Sequence, residues 1–280
     1  MWWLLIKYIA VFATQRTKPL YLTFQDGLCK IHEFFDGLYL SLLVLFNGYC
    51  IKINMKSNII DLPELREQTH IFRDRAHAGE VLARMLTADD RQAGIILAIP
   101  AGGVPVGAVM AEKTGLDFDV AVVSKITLPW NTEAGYGAVA FDGTVKLNED
   151  LVRRINLTVE EVKKGIEKTT AKVERRVKKL RGGQPFPDLV NRCAILVDDG
   201  LASGFTMRVA VTALRNTGAG RIVVAVPTGH RRSAEMIAQE IETLYCANIR
   251  GGFSYAVAGA YKHWSDVAEE DVVKILQQLR

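Results

Sequence analysis

A chain of 280 residues is long enough for a sizeable buried core, and it suits one large domain or one domain carrying an appendage. Its 35 basic residues against 31 acidic ones leave a formal net charge of +4, too mild a balance to argue for a nucleic-acid partner. The four cysteines, Cys29, Cys50, Cys193 and Cys246, show neither CxxC pairing nor zinc-ligand spacing. Cys193 and Cys246 lie in apolar settings and read as buried thiols of a reducing, cytoplasmic compartment.

The first 54 residues differ from the rest. Two apolar patches, Trp2 to Ala13 (broken by Lys7) and Leu38 to Phe46, are separated by polar and Gly-bearing sequence. Neither reaches the length of a membrane-spanning helix. No positive region precedes Trp2 and no clear small-residue cleavage site follows, so a signal peptide fits poorly. At Met55 the sequence changes character. Residues 1–54 are therefore expected to be an apolar extension outside the folded protein, translation starting at Met55, with residues 55–280 as the working domain. The alternative is a peripheral membrane or partner-binding appendage, and a membrane enters the expectation only through it.

Phe72 to Leu86 has helical period, with Ala78, Val81, Leu82, Met85 and Leu86 inward, Asp74 placed to cap and His77 at the surface. Ile95 to Ile99 is an unbroken apolar strand. Pro100, Ala101, Gly102 and Gly103 end it before a helix from Val104 to Lys113, an order that suits either an anion cradle or a plain turn. Val120 to Val123 forms a further strand, stopped by Ser124 and Lys125. Ile126 to Asn148 is rich in Gly, Asn and aromatic residues and weak in period, the composition of a mobile lid, with Lys125, Asn131 and Glu133 as polar candidates; a short hairpin also fits.

Thr158 with Glu161 makes a capping box, and Val159, Val162, Ile166, Val173, Val177 and Leu180 keep a helical stripe as far as Gly182 and Gly183. The opposite face interleaves Lys, Arg and Glu, as a solvated face does; a coiled-coil contact with a second subunit is the alternative. After Ile222 to Val226, another buried strand, come Pro227 to Arg232, a helix from Ser233 to Leu244, an aromatic tail Phe253 to Trp264 and a helix from Glu269 to Leu279.

The chain is organised around Cys193 to Arg215. Five apolar residues without alternation, Cys193 to Val197, read as a strand buried on both faces of a parallel sheet. Asp198 and Asp199 stop it, and Gly200 to Thr206 leads into a helix whose apolar positions Met207, Ala210, Val211 and Leu214 share one side. A helix start carries unpaired N–H groups and partial positive charge, so Ala202, Ser203, Gly204, Phe205 and Thr206 suit a phosphate. Carboxylates beside a phosphate repel it. They are expected to face hydroxyl donors of the same ligand or a bound Mg²⁺. An ordinary strand end followed by a helix cap fits the same string.

ILVDDGLASGFT resembles the 5-phosphoribosyl-1-pyrophosphate (PRPP) signature of the type I phosphoribosyltransferases. Phe72, Asp74, Arg75, Ala78, Gly79, Leu82, Ala83 and Leu86 resemble the opening helix of a prokaryotic group in that family. The resemblance covers most of Ile59 to Arg280. It implies an α/β fold, a mainly parallel sheet flanked by helices, with an inserted long helix and a C-terminal hood. It also implies Mg²⁺-dependent transfer of the phosphoribosyl group from PRPP to a small base-like acceptor with release of pyrophosphate, within nucleotide metabolism. In this comparison Asp198 and Asp199 hold the ribose hydroxyls and the metal, Ala202 to Thr206 the 5′-phosphate, and Ala101, Gly102 and Gly103 the pyrophosphate. Ala101 stands where the family commonly has arginine, so pyrophosphate is expected to be held by backbone N–H groups and Mg²⁺, with Lys125 as a candidate cation. Tyr261 and Trp264 are candidates for stacking on the base or for packing. A homodimer is expected. The alternative function is a non-catalytic sensor of PRPP or a nucleotide on the same fold.

Overall fold

The computed structural model describes residues 20–25, 28–33, 39–46, 49–56, 58–252 and 254–279, with side chains from Asn58 onward apart from Thr132 and Glu133. The chain divides into two units, Met1–Asn58 and Ile59–Arg280. In the first, β1 (Leu20–Gln25), β2 (Leu28–Glu33), β3 (Tyr39–Phe46) and β4 (Tyr49–Lys56) form a sheet in the order β2-β1-β3-β4. Trp2 to Ala13 lies outside the described residues, as do the side chains of the rest of the 1–54 extension, Cys29 and Cys50 among them.

The second unit begins with β5 (Ile59–Ile60), followed by α1 (Arg75–Met85), the short α2 (Ala88–Arg91), β6 (Gly94–Ala98), α3 (Gly103–Thr114) and β7 (Asp117–Val120). A hairpin-like group comes next: β8 (Val123–Leu128), β9 (Asn131–Ala140) and β10 (Val145–Leu147). Then follow α4 (Glu149–Arg154), the 23-residue α5 (Val159–Arg181), β11 (Cys193–Val197), α6 (Phe205–Asn216), β12 (Arg221–His230), α7 (Arg231–Ala238), β13 (Thr243–Arg250) and α8 (Glu269–Leu279).

The main sheet has six strands in the order β5-β13-β12-β11-β6-β7, and every pairing in it is parallel. Because neighbouring residues of a strand face opposite sides, the apolar runs divide between two layers. Ile95, Leu97, Leu196, Val224 and Leu244 pack with Met207, Ala210 and Leu214 of α6 and Ile237 of α7. Ile96, Ile195, Val197, Val223 and Ala225 pack with Leu82 of α1 and Val106 and Met110 of α3. Both faces are thus covered, which explains why these strands show no alternation. Leu214 is wholly buried, and truncating such a side chain to alanine costs about 2–5 kcal/mol. The expected α/β architecture, long helix included, is the one observed.

Of the two readings of Ile126 to Asn148, the hairpin is the one the fold takes: β8 and β10 pair antiparallel with β9 in a second sheet, where Tyr136, Ala138, Val139 and Ala140 are buried. Two sequence expectations need correction. The expected strand Val120 to Val123 is split, since Val120 ends β7 while Val123 begins β8. The expected helix Ser233 to Leu244 stops at Ala238, and Thr243 begins β13, whose residues Leu244 to Ile249 are all buried. Ile237, Ile241 and Leu244 mimic a helical stripe, and periodicity alone does not separate a short buried strand from a helix. β12 also runs on through Pro227, where the register passes from Val226↔Cys246 to Thr228↔Asn248 and leaves proline, which has no N–H, out of the pairing. Among the described residues no helix is long and apolar enough to cross a membrane.

Candidate functional site

Asp198 and Asp199 emerge at the carboxyl end of β11, an interior strand of the main sheet and the side on which open α/β sheets gather ligands. The Asp198 Oδ1 accepts a hydrogen bond from the Asp199 N–H at 2.8 Å. Asp199 Oδ2 accepts from Arg75 Nε at 2.9 Å, and Arg75 Nη2 lies 2.9 Å from the same oxygen. The two side chains are 10% and 15% exposed, so this ion pair is shielded from water. Burial and the neighbouring Asp199 charge push the Asp198 carboxyl well above the usual carboxylate range; burial raises Asp199 as well, and Arg75 offsets part of that.

The loop after the acids is held from both sides. Leu201 N–H donates to the Thr228 carbonyl and His230 N–H to the Leu201 carbonyl, each at 2.8 Å, while Ser233 Oγ donates to the Ala202 carbonyl. These bonds fix the bend against the end of β12. Gly204 occupies the N-cap of α6 with φ +74°, a left-handed conformation that favours glycine, and supplies no side-chain cap. The first turn of α6 is therefore left with backbone donors facing outward. Phe205 N–H already has a partner in Ser203 Oγ at 3.3 Å. Ala202 and Ser203 are exposed, and Phe205 and Thr206 half-buried.

The second expected cradle meets the first. Ile99 N–H donates to the Val197 carbonyl at 2.8 Å, so the chain leaving β6 runs beside the chain leaving β11. The Pro100–Ala101 peptide bond is cis. A β-carbon on Gly103 would come within 2.9 Å of Asp198 Cα, and Gly102 lies still closer to the Asp199 carboxylate. Glycine is required where backbones approach so nearly. Gly103 N–H is spent on the Ile99 carbonyl at 3.0 Å.

Ala101, Gly102, Gly103, Asp198 and Asp199 thus come together, with the loop Ala202 to Thr206 continuing from the acids. Lys125 belongs to the second sheet. It is exposed on β8, opposite Ala138, and among the described residues it makes no hydrogen bond or ion pair with either loop. The side chain of Glu133 lies outside the described residues, and Asn131 is exposed. Tyr261 is 2% exposed, packs on Phe72 with ring centroids 5.7 Å apart, and donates its hydroxyl to the Asp199 carbonyl at 2.6 Å. Trp264 lies under the Arg75 guanidinium, 3.9 Å from its carbon to the ring centre. Tyr261 is thus a packing element of this arrangement, whereas Trp264 is 38% exposed beside Arg75.

Two residues at the site went unassigned on sequence. Tyr255 directs its hydroxyl at Thr228 Oγ1, 3.4 Å away, and its ring meets His230 edge-on. Arg75 carried a legible signal: it falls on the apolar stripe with Ala78 and Leu82, at the first position of α1, where the helix dipole disfavours a cation.

With that geometry in view, comparison with known proteins gives concordant findings. A family model described as "Phosphoribosyl transferase domain" matches residues 141–257. Two curated Mycobacterium tuberculosis proteins, from strains CDC 1551 / Oshkosh and H37Rv, are 32% identical over 208 residues, covering 74% of this chain and 47% of theirs. Their own naming as phosphoribosyl transferases is provisional, and the chain spans about half their length. The crystal structure of TT1426 from Thermus thermophilus superposes with a TM-score of 0.60 at 30% identity, covering 74% of this chain and 98% of that one.

Proposed function

Since the chain belongs to the phosphoribosyltransferase family, we propose that it transfers the phosphoribosyl group of PRPP to a nitrogen of a small base-like acceptor and releases pyrophosphate. One observation carries the reading: the acidic pair, the glycine loop after β6 and the open first turn of α6 converge at the carboxyl end of β11.

Each part has a chemical task in it. The loop and first turn of α6, with the N–H groups of Ala202, Ser203, Gly204 and Thr206 and the hydroxyls of Ser203 and Thr206, hold the 5′-phosphate and supply binding energy remote from the reacting carbon. Asp198 and Asp199 accept hydrogen bonds from the ribose hydroxyls and favour the positive charge that grows on the sugar as the bond from C1 to pyrophosphate breaks. The backbone N–H groups of Ala101 and Gly102 face the negative charge that grows on the leaving group. Direct displacement by the acceptor nitrogen then forms the new C1–N bond with no covalent enzyme intermediate.

The donor set suits Mg²⁺. Two hard carboxylates stand together; burial raises the proton affinity of both, the Asp199 charge raises that of Asp198 further, and a cation would relieve this. Among the described residues no group of three or more His, Cys, Asp or Glu side chains offers an all-protein metal cage. Mg²⁺ ordinarily takes one or two carboxylates and completes its shell with water and substrate phosphates. When bound by Asp198 and Asp199 it would neutralise charge on the pyrophosphate.

The test is pyrophosphate release by the full-length protein with PRPP and Mg²⁺ across a panel of purine and pyrimidine bases. Turnover with at least one base, lost in Asp199→Asn, is expected. PRPP binding without turnover across the panel would favour a sensor, and no binding would overturn both readings.

A further inference from the structure

We propose that Arg75 is a positioning residue: it orients the Asp199 carboxylate and ties it to the C-terminal segment, so that ribose recognition depends on how that segment is docked. This rests on the transferase reading for what Asp199 binds, but not for the link itself.

Arg75 gains nothing from its own helix. The N-terminus of α1 is already served by Asp74, whose side chain accepts from the His77 N–H, and a cation in the first turn opposes the helix dipole. An apolar side chain would complete the buried stripe that Arg75 shares with Ala78 and Leu82. Instead an arginine stands there, 9% exposed as a residue, and every contact that compensates its burial leads away from α1. Nε and Nη2 both converge on Asp199 Oδ2, which leaves Oδ1 unclaimed by Arg75. Nη1 donates to the Ser265 carbonyl at 2.8 Å, and the flat face lies on Trp264. Two N–H donors of one rigid guanidinium pin Oδ2 in place, a directional hold that a lysine point charge does not give.

The tail also reaches the backbone of this acid, through the Tyr261 hydroxyl on the Asp199 carbonyl. It has backbone anchors independent of Arg75: Lys262 N–H to the Phe72 carbonyl at 2.8 Å and His263 N–H to the Arg73 carbonyl at 2.9 Å. Removing the guanidinium therefore leaves the segment attached while freeing the carboxylate. A buried ion pair of this kind contributes little net stability beside an apolar replacement, so its value lies in geometry.

Two measurements test this. In the first, PRPP affinity is read by titration calorimetry with Mg²⁺ for the full-length protein, Arg75→Met, Arg75→Lys, Asp199→Asn and the double variant Arg75→Met/Asp199→Asn. Arg75→Met is expected to weaken binding about tenfold or more, Arg75→Lys to recover part of the loss, and the double variant to bind no worse than Asp199→Asn alone, since coupled residues are non-additive. Unchanged affinity in Arg75→Met, or losses that add in the double variant, would overturn the proposal. In the second, Trp2, Trp3 and Trp130 are replaced by phenylalanine so that Trp264 alone reports, without ligand. Asp199→Asn is expected to shift its emission in the same sense as Arg75→Met. No shift in Asp199→Asn sinks the link whether or not PRPP binds; a shift in a protein that fails to bind PRPP leaves the link standing and rejects the transferase reading.

Discussion

A β-carbon added to Gly102 would stand 1.9 Å from Asp199 Oδ2, closer than any carbon and oxygen can approach without bonding. The two loops expected to hold opposite ends of one ligand are therefore packed on each other, with glycine at the point of contact. Gly102→Ala forces the carboxylate aside. Overpacking of this kind costs about 1–3 kcal/mol, and PRPP affinity should fall more steeply than the unfolding midpoint. Calorimetry and thermal unfolding of the variant check this, and retention of both wild-type values would show that the contact does not constrain the site.

Gly204 separates cradle from scaffold. Gly204→Ala places a side chain at φ +74°, costing about 1–2 kcal/mol. Gly204→Asp meets the same strain but puts a favourable capping carboxylate at the start of α6, and it sets a negative charge where the 5′-phosphate is proposed to sit. Its urea midpoint should thus equal or exceed that of the alanine variant while PRPP binding is lost. An aspartate variant that still binds PRPP would remove the phosphate from this helix.

Acid stability should depend on one carboxylate outside the ligand loops. Glu269, in the first turn of α8, receives Arg175, Arg176 and Lys179 from α5, and these partners, Arg175 foremost, hold its carboxyl down at about 2. A folded pKa depressed from its ordinary 4.5 contributes stability that is fully present above that value and is lost as pH falls toward 2. The acid's side chain is 20% exposed and Arg175's 56%, so screening reduces the gain to about 1–2 kcal/mol. Urea unfolding of the native protein and Glu269→Gln should show a gap at pH 7 that closes between pH 4.5 and pH 2. A gap of constant size would point to packing instead.

Cys193 and Cys246 should resist thiol reagents while the protein is folded. Burial pushes the Cys193 thiol up to about 11 and raises Cys246 as well, and neither side chain is appreciably accessible. Peptide mapping after brief labelling at pH 8, with and without urea, should find both modified only in the unfolded chain. Rapid native labelling of Cys246 would contradict its place in the middle of β13.

What could be read in advance was what repeats locally. Unbroken apolar runs such as Ile95 to Ile99 and Cys193 to Val197 announce a parallel sheet because both faces are buried, and the Thr158 and Glu161 capping box marks the start of α5 to the residue. The acids and glycines were legible as well, being consecutive in the chain. Thr243 to Arg250 was not, because its apolar spacing continues that of α7 and only tertiary pairing with β12 makes it a strand. Nor was the role of Arg75, whose partners Asp199 and Ser265 lie 124 and 190 positions away. Its inward place on an apolar stripe shows that a buried cation needs an anion, without saying which.

The order of the main sheet bears on any attempt to work with a shortened protein. β11 is hydrogen-bonded on one side to β12 and on the other to β6, which lies at Gly94–Ala98, upstream of the stretch 141–257 that the family model recognises. An excised 141–257 fragment would keep the acids and the loop behind them yet turn the strand that bears them into a raw border, greasy on both sides and lined with unanswered amides, the kind of edge that recruits other chains. Such a fragment should precipitate, and its inactivity would say nothing about the chemistry of the intact molecule.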